Sequence, residues 1–149
     1  MSRACVLPLA LALFATPLVA QNRNAPVNPL QSIRAFNCSF PTFGVGRWEG
    51  MAATVIAGED TLSFRIDNIN LRRAVARVVA AASVDVTARL TDTGLNMIEQ
   101  TPGGNFILTT IFTGGASADK FHAVHSRHLG DLTTPPSASQ FYGTCEVAD

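Results

Sequence analysis

Two cysteines constrain this chain more than any other feature. Cys38 stands near the start of the region that looks folded and Cys145 near its end. The third, Cys5, belongs to an N-terminal segment that reads as a removable leader. Two thiols left in an exported chain are expected to pair. A Cys38–Cys145 bond would tie the first structural element to the last, a cross-link that a chain-entropy model values at about 4.7 kcal/mol for a loop of roughly a hundred residues. The two ends of the fold then have to lie side by side.

The leader is read from Arg3, the apolar run Leu7 to Ala15, and Thr16-Pro17-Leu18-Val19-Ala20 ahead of polar Gln21-Asn22-Arg23-Asn24. A positive start, an apolar middle and a small residue before a polar stretch form a secretory signal peptide, here residues 1–20. The rival reading is an uncleaved anchor. Ala4 to Ala20 sits at the lower edge of a span of about 17–25 residues, and Pro8 and Pro17 interrupt it. No second apolar run follows, and no cysteine stands at the cut to take a lipid. The mature chain is therefore expected to lack a stable membrane span and to work in the periplasm or outside the cell. Residues 21–32, polar and with two prolines, read as a flexible N-terminus. Residues 33–149 read as one domain.

Charge excludes one class of partner. The chain carries 11 basic and 11 acidic residues, and losing Arg3 tips it slightly negative. Without a basic excess there is no footprint for a phosphate backbone, so nucleic acid is not expected. Every basic residue except Lys120 is arginine, a usage associated with GC-rich bacterial genes. Asn37-Cys38-Ser39 matches a glycosylation acceptor, but its cysteine is expected to be bonded.

Turn signals recur every 8–12 residues or so, the spacing of an all-β sandwich or barrel. They are Gly44-Val45-Gly46, Gly58-Glu59-Asp60, Asp92-Thr93-Gly94, Pro102-Gly103-Gly104-Asn105, Gly114-Gly115-Ala116-Ser117, Gly130-Asp131 and Pro135-Pro136. Strand-like runs lie between them at 34–40, 47–56, 61–69, 73–80, 84–91, 95–101, 105–112, 120–128 and 140–147. Residues 70–83 are ambiguous. Leu71, Ala74, Val75, Val78, Val79 and Ala82 recur at helical spacing behind a candidate cap, Asn70, but strands on both sides favour a strand. The fold class is all-β: a single antiparallel domain of about eight or nine strands, a meander barrel or a sandwich, with first and last strands adjacent.

A two-residue primed turn at Gly103-Gly104 would set Glu99 opposite Leu108 and Leu95 opposite Phe112. One face would then carry Leu95, Met97, Phe106, Leu108 and Phe112, with Glu99 among them. Laying 120–128 alongside, with Phe121 opposite Phe112, brings His125 to Leu108 and Arg127 to Phe106. Glu99, His125 and Arg127 so share an apolar face. A carboxylate there has to be paired or protonated, and the Arg127 fork suits it. The cluster reads either as a core ion pair that holds the register or as a polar anchor in a ligand cavity.

Trp48, the only tryptophan, completes the candidate set. Gly46-Arg47-Trp48 on an early strand resembles the lipocalins and the wider calycin barrels, although a Thr-Asp-Tyr-type motif is missing. The resemblance rests on two or three residues. It implies that Trp48 closes one barrel end and that a late-strand arginine, here Arg127, packs over it.

No catalytic or metal constellation emerges. His122 and His128 would lie about 20 Å apart on a strand, with His125 on the other face, too far apart to share a metal. Ser126 and His125 face opposite sides, and no nucleophile elbow occurs. Asp67-Asn68-Ile69-Asn70 lacks the glycine and carboxylates of a calcium loop and reads as a capped turn. No cofactor is expected. The function expected is a small exported binding protein for a hydrophobic molecule. The alternatives are an extracytoplasmic protein-interaction module and, third, a hydrolase or isomerase with its site at a barrel mouth.

Overall fold

The computed structural model describes residues 27–115 and 117–149; the leader at 1–20 and residues 21–26 lie outside the described residues. Eight antiparallel strands follow one another around a closed barrel. They are β1 (Phe36–Glu49), β2 (Ala52–Asn70), β3 (Val75–Val79), β4 (Ser83–Leu90), β5 (Gly94–Gln100), β6 (Phe106–Phe112), β7 (Lys120–Leu129) and β8 (Ser137–Val147). Each pairs with its sequence neighbour, and β8 returns to β1. Cys38 and Cys145 face each other across that last seam and are bonded, their Cα atoms 4.0 Å apart. Closure leaves no edge at the seam, and alternation sends every second side chain inward.

The interior is filled by side chains. Phe36, Phe40, Phe121, Leu30, Ile66, Ile69, Leu95, Met97 and Ile111 are all essentially inaccessible to solvent. Leu30 comes from a short 3-10 turn, Pro29–Gln31, ahead of β1; the Asn28 side chain accepts a bond from the Leu30 N–H and donates to the Thr91 carbonyl. One end of the barrel is thereby packed by a residue outside the strands.

Nine expected runs become eight strands because the first two glycine signals lie inside strands. Gly44 and Gly46 belong to β1 and Gly58 to β2, and the chain reverses at Gly50, which holds φ 65°. Gly58 serves packing instead: a Cβ there would stand 3.0 Å from the Phe43 ring. Pro41 interrupts the ladder to β2, and the register shifts at this point on both sides of β1, as a residue without an N–H requires. The bulge resets the alternation, so Phe36, Cys38 and Phe40 face inward before it and Phe43 after it. Residues 75–79 form a strand, as the neighbours suggested. Asn70 caps a turn in place of a helix, its side chain accepting from the Arg73 N–H.

The Gly103-Gly104 turn differs from the two-residue form. Thr101 and Asn105 close a three-residue loop: the Gly104 N–H donates to the Thr101 carbonyl, and Gly104 takes φ 87°. Pro102 suits the second position of such a turn and Gly104 its left-handed position. The β5–β6 register moves by one, putting Glu99 opposite Ile107. Phe106 and Phe112, expected on the core face, are instead more than a third exposed. The β6–β7 register is also displaced by one, with His125 opposite Thr109 and Arg127 opposite Ile107. The two displacements cancel in parity, so Glu99, His125 and Arg127 still share the inward face.

Candidate functional site

A single transverse row crosses the interior: Met97 on β5, Thr109 on β6, His125 on β7, Phe141 on β8 and Phe43 on β1 are successive partners. His125 is 5% exposed. Its ring lies 5.2 Å from Phe64, 5.8 Å from Phe40 and 6.0 Å from Phe141, centroid to centroid. Arg127, one inward position further along β7, donates from Nε to His125 Nε2 at 2.9 Å. A guanidinium has no acceptor, so Nε2 must carry the lone pair. The ring proton then sits on Nδ1 and is donated to Thr109 Oγ1, 2.8 Å away. Burial first, and the Arg127 charge second, push the His125 pKa down to about 4. This is a neutral histidine with both nitrogens engaged.

Arg127 is held on its other side by the Phe141 ring, with Cζ 5.0 Å from the centroid, a cation–π contact. Burial lowers the Arg127 pKa and the Glu99 charge opposes that shift. The expected ion pair is not formed: among the described residues, Glu99 is in none of the ion pairs, which join Arg65–Asp67, Arg77–Asp85 and Lys120–Glu146. Glu99 is half-buried and lies at the cleft where β4 and β5 diverge beyond the Thr87–Ile98 pair. Glu99 therefore acts on Arg127 only at longer range.

Trp48 is not part of this cluster. It is 48% exposed, so it neither closes the barrel nor receives Arg127, which stacks on Phe141. Its place in β1 explains this: Trp48 shares a face with Gly46, and the row Phe106–His128–Ala138–Gly46–Val55 runs across the outside of the wall. On that outer surface Trp48 borders a groove of about 480 Å³. Gly46, Ala53, Ala138 and the glycines of the 103–104 and 130 turns supply small lining residues, while Trp48, Val55, Leu129 and Pro136 add apolar bulk. Both loops at the rim are fixed. Asn105 Oδ1 accepts from the Gly130 N–H at 3.0 Å. The Asp131 carboxylate accepts from the backbone and hydroxyl of Thr133 and of Thr134, which holds it well below the usual carboxylate range.

The groove is not legible in the sequence because its lining comes from residues 46–48, 53–55, 103–105, 128–130 and 136–138, which only the barrel brings together. The glycine and proline signals were visible, but only as turns. The fold and site together define an eight-stranded up-and-down barrel with a packed interior and an external apolar groove. No protein-family model, curated protein or solved structure matches the chain.

Proposed function

We propose that this chain is an exported barrel that binds a small apolar group in the external groove beside Trp48, its interior serving as a fixed core. One observation carries the reading. The large side chains of the core occupy the space where a barrel ligand would sit, while the only tryptophan stands half-exposed at a groove of about 480 Å³, within the usual range of small-molecule sites. The interior histidine is suited to structure more than to proton transfer, because neither nitrogen is free. Export is supported by the leader pattern and by the Cys38–Cys145 bond. The test is a titration of Trp48 emission with N-phenyl-1-naphthylamine, an uncharged apolar dye. Saturable quenching that Ala53→Glu abolishes is the result expected. Quenching that ignores Ala53→Glu would move the site elsewhere.

A second reading, an interaction module, is favoured by the β2 edge. β3 pairs with β2 only from Arg65 onward, so the side of β2 away from β1 is unpaired over residues 52–64 among the described residues. Residues 52–58 of that edge carry no charge and no proline, and Val55 is 79% exposed. Such an edge suits strand addition. Association on a sizing column without any dye response would favour it.

A further inference from the structure

The other end of β2 carries a different surface. We propose that the cleft at the β2–β3 turn binds the phosphate group of a small organic phosphate ester. The cleft is about 830 Å³, and its lining includes Arg34, Arg72, Arg73 and Arg77. Asp85 is the only carboxylate among its lining residues, and it is taken by Arg77 at 2.9 Å. Arg34, Arg72 and Arg73 join none of the ion pairs of the described residues. Asp67, the nearest other acid along β2, lies beside Arg65. Three guanidinium groups are thus left facing one concavity. The chain's overall neutrality conceals this local separation of charge.

The cleft is built, not incidental. The Arg34 Nη1 group donates to the carbonyls of Gln31 and Ile33, which leaves its other N–H groups for a ligand. Arg72 and Arg73 sit on the turn that Asn70 caps through the Arg73 N–H, and Leu71 anchors that turn against the core. Guanidinium forks match the tetrahedral oxygens of phosphate and bind them in pairs. The cleft is far larger than one phosphate ion, and Val75, 37% exposed, adds apolar surface at its wall. Room for an organic body follows.

Calorimetric titration of the protein in low-salt, phosphate-free buffer tests this, with glucose 6-phosphate, pyrophosphate and, as the uncharged control, glucose. The two phosphates are expected to bind and glucose is not, with affinity falling as sodium chloride is added. Arg72→Ser/Arg73→Ser is expected to weaken binding about tenfold or more with the thermal melt unchanged. If that variant melts early, Arg73→Gln alone reads the same loss. Sedimentation with phosphatidylcholine vesicles, with and without phosphatidylglycerol, distinguishes the source. Association that needs the anionic lipid and is lost in the arginine variant supports the site with the phosphate on a headgroup. No binding to either phosphate or to anionic vesicles would overturn the proposal, as would binding that survives the arginine substitutions.

Discussion

His125 is the residue on which the interior turns. A buried imidazole is acceptable here because Thr109 and Arg127 occupy both nitrogens and three phenyl rings surround it. That arrangement has a pH signature. The folded-state pKa, about 4, lies below the ordinary value of 6.5, so between those values the unfolded chain binds the extra proton. Stability is fully present above pH 6.5 and is lost as pH falls toward 4, by roughly 3 kcal/mol from this group alone. Chemical denaturation across that range, repeated on His125→Gln, should show the slope and its loss. Glu99 behaves differently. Among the described residues it joins no ion pair, so Glu99→Gln should change stability by less than about 0.5 kcal/mol. A thermal melt showing a loss of several kcal/mol would reveal a pairing with Arg127 that the structure does not contain.

At the scale of the elements, what could be read from the chain was what alternation and turn residues encode locally. The β4 to β8 runs are legible from their apolar residues and the glycine, proline and aspartate signals between them, whereas β3, with only Ala80-Ala81-Ala82 after it, is ambiguous with a helix and is decided by its strand neighbours. The β1–β2 hairpin was not, because Gly44, Gly46 and Gly58 imitate turns while serving as strand residues that lie beneath rings or against neighbouring backbone. The β5–β6 and β6–β7 registers were each displaced by one for want of the loop geometry at Pro102–Gly104 and across residues 113–119. The shared face of Glu99, His125 and Arg127 survived because the two displacements offset each other. The place expected for Trp48 rests on the calycin resemblance, and the structure departs from it because the Pro41 bulge resets the inward face of β1 before Trp48 is reached. The bulge in turn depends on Gly143 of β8, where a methyl group would run into the Ser39 carbonyl and stand 2.6 Å from Phe40 Cα. Gly143→Ala should therefore cost about 1–3 kcal/mol, the usual cost of overpacking, read as a lower denaturation midpoint. An unchanged midpoint would mean that the β1–β8 crossing is looser than the close approach at Gly143 requires.

For the whole molecule, the cysteine pair was the most informative part of the sequence, because it demanded that the chain's ends meet. A closed barrel satisfies that demand through the β1–β8 ladder, with Cys38 and Cys145 directly opposite each other. Closure with a filled interior leaves the proposed ligand only the outside of the wall. Amide and indole N–H shift mapping by NMR, on adding N-phenyl-1-naphthylamine, tests it most directly. Shifts are expected at the Trp48 indole, Gly46, Leu129 and Ala138, with Met97, Thr109 and His125 unmoved. Shifts centred on Met97, Thr109, His125 and Phe141 would place the ligand inside the barrel and contradict it.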